Sequence, residues 1–284
     1  MNSGRIFCII LLLASNRGTS LTIEDKAKDL RPGTEKKIHW ARADQGKTKF
    51  GIAYLHGFSA SRDEISPVLD GIDQNIFFTR FTGHGQTSEA LAKARVEDWE
   101  KDVEEAVSMA SQIGEQVVLI GTSTGAALAL KRVFEKANIA GLILISPNFA
   151  PKDKRANLFL WPGGLWLAKW LTGPTRSWEP KNAEQARIWT NKYPLEAVAS
   201  MMKVTDKVSH LDYSKLSIPL LVLYTDKDES VDVDLIVKNF AKFGGRKKLV
   251  NVEGATEHVL AGNATCPQTV PLVRKLIQEF LKTL

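Results

Sequence analysis

The chain has almost no cysteine: of its 284 residues, only Cys8 and Cys266 are cysteines. Cys8 lies inside an N-terminal apolar run, so removal of that run leaves one thiol and no intramolecular disulfide. Two cysteines also fall short of a zinc-binding cluster. Histidine is scarce as well. His39, His56, His84, His210 and His258 form no His-Glu-x-x-His pair, and no metal is expected. No apolar run reaches the roughly 20 residues of a membrane-spanning helix. Internal repeats and low-complexity tracts are lacking, and lysine and arginine form no block. The formal charge is +6. Nucleic acid is not an expected partner, although mild attraction to anionic surfaces or acidic substrates stays open.

Hydrophobic residues make up 44% and charged residues 25%. That balance supports a globular core of ordinary size. The length suits one large domain, or one domain carrying an inserted cap.

The first twenty residues stand apart. Arg5 precedes the apolar run from Ile6 to Ala14, and small and polar residues follow from Ser15 to Ser20. A charged start, a short apolar stretch and a small-residue end describe a secretory signal peptide. Gly18 and Ser20 fill the two small positions before a cut, which would leave Leu21 as the new N-terminus. The expectation is a secreted or periplasmic protein; the alternative is an uncleaved N-terminal membrane anchor. Residues 21–284 then form the folded domain.

That domain alternates two patterns. Compact apolar runs at Phe50–Leu55, Asn75–Phe81, Gln116–Ile120, Leu142–Ile145, Pro219–Tyr224 and Lys248–Val252 are bounded by turn residues, as buried parallel strands are. Helical spacing occupies Val96–Gly114, Thr124–Ala137, Val231–Phe243 and Val270–Leu284. The alternation predicts an α/β fold: a mostly parallel central sheet flanked by helices. Residues 150–216 interrupt it and hold Trp161, Trp166, Trp170, Trp178 and Trp189, five of the seven tryptophans. A structureless loop of that length is rare in a compact domain, so an inserted helical cap is expected there. Its most apolar part, Leu158–Leu171, reads as a cap helix enclosing an acyl-binding pocket. The alternative is a surface that touches lipid.

One pentapeptide carries the chemistry. Gly121-Thr122-Ser123-Thr124-Gly125 follows a buried strand and opens a helix, the context of a nucleophile elbow. Ser123 is then the candidate nucleophile. A serine hydroxyl needs a base, and His258 lies in the polar loop between the last strand and the last helix. The base needs an acid to fix its tautomer. Asp228 is preferred over Asp226, since it lies farther beyond the strand and closer to the next helix. Two backbone N–H groups are the candidate oxyanion donors, that of Thr124 and that of Phe58 in the turn His56-Gly57-Phe58-Ser59. His56 and His84 read as structural, bracing their loops.

His56-Gly57-Phe58, Gly83-His84-Gly85, the elbow, Asp228 and His258 together, in that order, resemble the α/β-hydrolase superfamily from about Lys37 to the C-terminus. The nearest likeness is to microbial carboxylesterases and monoacylglycerol-lipase-like hydrolases. The resemblance implies hydrolysis of small acyl esters, short- to medium-chain or monoacylglycerol, through an acyl-enzyme, with no cofactor. Thioester hydrolysis, carbon–carbon bond hydrolysis and acyl transfer are alternatives on the same fold, and a non-catalytic binding protein is a further one. Two positions depart from the pattern. Ala126 stands where many relatives carry a third glycine, and Thr124 replaces the usual methionine or glutamine. Neither the natural substrate nor the oligomeric state is legible.

Overall fold

The computed structural model describes residues 21, 23, 25–135 and 138–284. The signal-peptide reading of residues 1–20 lies outside them.

Nine strands are described: β1 Lys37–His39, β2 Thr48–Leu55, β3 Asn75–Phe78, β4 Gly114–Thr122, β5 Ile139–Ile145, β6 Thr175–Ser177, β7 Lys192–Pro194, β8 Leu220–Tyr224 and β9 Lys247–Asn251. The helices are α1 Ser66–Leu69, α2 Ser88–Lys93, α3 Val96–Ile113, α4 Thr124–Glu135, α5 Gly164–Thr172, α6 Ala183–Ile188, α7 Leu195–Ser209, α8 Val233–Lys242 and α9 Val270–Lys282.

Seven strands form the main sheet in the order β1-β3-β2-β4-β5-β8-β9. All neighbours run parallel except β1, which pairs antiparallel with β3. The central strands are buried on both faces, which is why they read as continuous apolar runs. On one face Ala53, Leu55, Leu119, Leu142 and Val222 pack with Trp99, Val103, Val107 and Ala110 of α3 and with residues of α4 and α8. On the other, Ile52, Tyr54, Ile120, Ile143 and Leu221 pack with Val273, Ile277 and Leu281 of α9 and with α1. The expected α/β architecture, a mostly parallel sheet between helical layers, is the observed one.

Topology sets where a site forms. The chain passes from β2 outward to β3, then returns across β2 to place β4 on its other side. The order reverses between β2 and β4, and open α/β sheets bind ligands outside the strand C-termini at such a switch point. The turn after β2 begins at His56, and β4 ends at Thr122.

Some boundaries differ from expectation. The strand expected over Asn75–Phe81 ends at Phe78. Thr79 N–H still donates to Tyr54 O at 3.1 Å, but Phe81 N–H turns to His56 Nε2 at 3.1 Å, and the chain leaves the sheet there. Residues 150–216 are not purely helical. They hold 3₁₀ turns, α5, α6 and α7, and an antiparallel β6–β7 ribbon. Leu158–Leu171 is not one helix either. A 3₁₀ segment, Lys154–Leu160, stops at Trp161, and α5 starts at Gly164 after Gly163 in left-handed conformation. Within α5 the small residues Gly164 and Ala168 are buried. Ala168 packs with Tyr193, Leu195, Val198 and Met202. Helical geometry then turns Trp166 and Trp170 outward. They are 71% and 72% exposed, and Trp161 is 68% exposed. A single cap helix with its tryptophans packed inward is not what forms: α5 turns its small residues inward and Trp166 and Trp170 to solvent.

Candidate active site

Four loops meet at the C-terminal edge of the sheet. The turn from β4 into α4 holds Ser123 at φ 56, a left-handed conformation that costs energy for any residue with a Cβ. Its neighbours hold it there. Ser123 N–H donates to Ile145 O at 2.9 Å, and its carbonyl accepts from Asn148 and Ala127 N–H at 3.1 and 3.2 Å. The turn is this tight because Gly125 lacks a side chain. A Cβ there would lie 2.1 Å from Leu55 O and 2.4 Å from His56 O. The elbow thus packs directly on the end of β2. Ala126, in place of the third glycine, is fully buried in that packing.

The turn after β2 is pinned from two sides. His56 is fully buried, and its Nε2 accepts from Phe81 N–H at 3.1 Å. Nδ1 therefore carries the proton and donates to Gly57 O at 2.8 Å. Burial pushes His56 down to about 4. It is a neutral brace, as its sequence context indicated. His84, also buried and pushed down by burial, packs edge-on against Phe58, Phe81 and Trp99. Gly57 N–H donates to Glu64 Oε1 at 2.6 Å. Neither Phe58 N–H nor Thr124 N–H has an acceptor among the described residues, so both are left to a ligand or to water.

The loops after β8 and β9 bring Asp228 and His258 together. His258 Nδ1 lies 2.6 Å from Asp228 Oδ2. Asp228 Oδ1 accepts from Ser230 N–H at 2.7 Å and Val231 N–H at 3.1 Å. Burial works to raise the Asp228 carboxyl, but the His258 bond and charge and the two N–H bonds outweigh it and hold it below the usual carboxylate range. Asp226 is exposed. The His258 loop is itself fixed: Ser146 Oγ donates to His258 O at 2.7 Å, and Thr225 Oγ1 to Ala255 O at 2.9 Å.

The insertion brackets this edge. Thr190 N–H donates to Ser59 O at 2.7 Å, and the Tyr193 ring stands edge-on to Phe58 at 5.3 Å. Lys181 Nζ reaches Glu257 Oε1 at 2.7 Å. Asn148 Nδ2 reaches Thr124 Oγ1 at 3.4 Å beside the elbow. Among the described residues, no group of three or more metal-ligating side chains is gathered.

Sequence reasoning missed Glu64, which sits under the Gly57 turn and is 1% exposed. Within Arg62-Asp63-Glu64 it reads as solvated charge. The available signal was Tyr54, a hydroxyl inside the apolar run Ile52-Ala53-Tyr54-Leu55. A buried tyrosine needs a hydrogen-bond partner, and Tyr54 OH lies 2.6 Å from Glu64 Oε1. Burial pushes Glu64 up to about 7, against the opposing pull of Tyr54, Gly57 N–H and the His258 charge.

Known structures share this fold. One described for the metagenome-derived lipolytic enzymes LipS and LipT superposes with a TM-score of 0.74 at 19% identity, covering 90% of this chain and all of that one. The monoacylglycerol lipase of Paleococcus ferrophilus gives a TM-score of 0.61 at 15% identity, covering 88% and 98%. Est1E from Butyrivibrio proteoclasticus, with ferulic acid bound, gives 0.61 at 17% identity, covering 88% and 94%. No curated protein matches the sequence. The family model described as serine aminopeptidase, S33, matches residues 52–262, which is most of the chain and spans the β2 turn, the elbow and the loops of Asp228 and His258. The chain belongs to this family of α/β-hydrolases.

Proposed function

We propose that the protein hydrolyses carboxylic esters of small acyl groups or monoacylglycerols through an acyl-enzyme on Ser123. The observation that carries this reading is the 2.6 Å His258–Asp228 bond on the sheet edge that also holds Ser123 in its elbow. With Nδ1–H given to Asp228, His258 keeps Nε2 as its basic nitrogen. In the proposed reaction, Nε2 takes the Ser123 proton as Oγ attacks the ester carbonyl carbon. The carbonyl oxygen becomes an oxyanion, and the N–H groups of Phe58 and Thr124 donate to it. Collapse breaks the bond to the alcohol, which leaves with the proton from His258. Water then repeats the sequence on the acyl-enzyme and releases the acid.

Esters are favoured over peptides by the structural neighbours, which include a lipolytic enzyme, a monoacylglycerol lipase and Est1E holding ferulic acid. The family description, an aminopeptidase, makes peptide cleavage the competing reading. The insertion supports contact with a lipid surface. Leu160, Trp161, Trp166, Trp170 and Leu171, close together in sequence, are all exposed. Residues 150–216 also hold 11 lysines and arginines against 6 aspartates and glutamates, a surplus of five in a chain whose whole surplus is six. The N-terminal run fits the same picture, since export or anchoring would bring the enzyme to membranes.

A fluorophosphonate probe, which reacts with an activated serine, tests the site. Labelling of the wild type that is lost in Ser123→Ala is expected. A panel of 4-nitrophenyl and glyceryl esters of graded acyl length, run beside aminoacyl 4-nitroanilides, tests the substrate class. Turnover of the anilides alone would replace the ester reading with the peptide one.

A further inference from the structure

Glu64 has no part in the chemistry just described, yet it is built into the centre of it. The carboxyl closes the short turn Arg62–Glu64 and is buried, whereas its two neighbours point away. Arg62 reaches Glu35, and Asp63 reaches Arg187. Among the described residues, Glu64 has no cationic ion-pair partner of lysine or arginine type. Burying an unpaired carboxyl is costly, so a retained one calls for a physical reason.

Three connections supply it. The first runs to the β2 turn, through Gly57 N–H at 2.6 Å. A Cβ on Gly57 would lie 3.1 Å from Glu64 Oε2 and 3.4 Å from Ser123 Cβ, so the Gly57 backbone is seated between the carboxyl and the nucleophile. The second runs to the elbow. Tyr54 OH donates to Glu64 Oε1 at 2.6 Å and lies 3.0 Å from Thr122 Oγ1, the residue before Ser123. The third runs to the His258 loop. A Cβ on Gly262 would lie 2.2 Å from the Glu64 carbonyl oxygen, so that loop rests on the Glu64 backbone. Of the titratable groups, Tyr54 from β2 is in direct contact with the carboxyl.

We propose that Glu64 is a positioning residue for this hydrolysis: it locks the Gly57–Phe58 turn in register with Ser123 through Tyr54 and Thr122. The proposal rests on the reading of Ser123 as nucleophile. A misplaced donor is expensive, since an error near 1 Å costs on the order of 100-fold in rate. An amide at this position keeps an oxygen that accepts both bonds, but carries no charge.

The test measures kcat and KM on 4-nitrophenyl butyrate across the pH range for the wild type, Glu64→Gln, Glu64→Ala and Tyr54→Phe. Each value is normalised to fluorophosphonate-reactive serine, and each protein is melted thermally. Glu64→Ala is expected to lower kcat on the order of 10- to 100-fold with little change in KM. Tyr54→Phe, which removes the bonds to Glu64 and Thr122 but leaves the Gly57–Glu64 bond, is expected to lower kcat less. Glu64→Gln, which keeps an oxygen for both bonds, is expected to recover most of kcat. A merely structural Glu64 would lower the melting temperature and leave kcat per reactive serine unchanged in Glu64→Ala; that result overturns the proposal. Should Glu64→Ala not fold, the Gln and Phe variants decide. Wild type that neither labels nor turns over would instead sink the reading of Ser123, which keeps the two failures distinct.

Discussion

Asp228 and His258 are thirty residues apart in the chain and 2.6 Å apart in the fold, joined Oδ2 to Nδ1. Asp228 has its other oxygen committed to two backbone N–H groups, so the carboxylate cannot swing away from the imidazole without losing both. Asp226 sits two residues earlier, exposed, with its own N–H near Asn251 Oδ1 at 3.4 Å. The two aspartates therefore differ in what an amide would do. Asp228→Asn is expected to leave the fold intact and lower kcat on the order of 10³- to 10⁴-fold, because the imidazole loses its fixed tautomer. Asp226→Asn is expected to change kcat less than about two-fold, as a substitution at an exposed turn does. Steady-state kinetics on a soluble ester compares them, and a large loss in Asp226→Asn alone would move the acid.

The elbow, the order of Ser123, Asp228 and His258, and six of the seven main-sheet strands were legible in sequence. Each rests on a local rule: an apolar run, a glycine at a steric contact, a polar loop after a strand. What was illegible was set by tertiary contact. β1, Lys37–His39, is three residues long and is defined by pairing with β3, not by any pattern of its own. β6 and β7 are equally short and pair only with each other. The apolar stretch Leu158–Leu171 read as an inward helix because hydrophobicity alone gives no direction. Gly164 and Ala168 give the direction, since small residues four apart let α5 sit close to its neighbours. Glu64 was hidden for the opposite reason, as a charged residue among charged residues that the fold buries singly.

Glu64 also ties stability to pH. Its carboxyl is raised from an ordinary 4.5 to about 7 by burial. The folded state thus holds the proton more tightly than the unfolded chain. The stability this contributes is full below about 4.5 and is lost as pH rises through about 7. Glu64→Gln removes that dependence and nothing else that titrates at the position. The stability of Glu64→Gln relative to wild type is therefore expected to rise between pH 5 and pH 8, by several degrees in Tm. Melting both proteins at the two pH values checks the sign. Parallel curves would mean that Glu64 ionises in the fold as it does in water.

Gly125 and Gly163 separate two uses of glycine. At Gly125 a Cβ meets backbone oxygens of Leu55 and His56 at 2.1 and 2.4 Å, atoms that hold the β2 end and cannot turn aside. At Gly163 nothing lies within 4 Å, and the sole penalty is φ +74. Gly163→Ala is expected to cost about 1 kcal/mol, the usual strain of a left-handed alanine. Gly125→Ala is expected to cost more than about 3 kcal/mol, beyond ordinary overpacking, and to lower kcat because Ser123 shifts with the turn. Urea unfolding midpoints with kcat per folded protein measure both. Equal costs would show that the elbow yields.

The exposed tryptophans give the last expectation. Trp161, Trp166 and Trp170 lie within ten residues, each more than two-thirds exposed, with Leu171 beside them. An indole pays a hydration cost in water and fits the boundary between headgroups and acyl chains. The positive surplus of residues 150–216 adds attraction to anionic headgroups, which salt screens over a Debye length of about 8 Å at physiological strength. Burying each ring in a bilayer surface is worth on the order of 1–2 kcal/mol. Replacing all three by alanine is therefore expected to weaken binding to anionic vesicles by at least about 100-fold. Turnover of a soluble butyrate ester should stay within about two-fold, since the rings point away from the packed side of α5. Binding should also fall with added salt and be weaker on zwitterionic vesicles. Vesicle co-sedimentation read beside soluble and dispersed ester assays separates the outcomes. Equal loss on soluble and dispersed substrates would mean that the rings shape the substrate pocket after all. Unchanged binding would mean that this face of α5 meets something other than lipid.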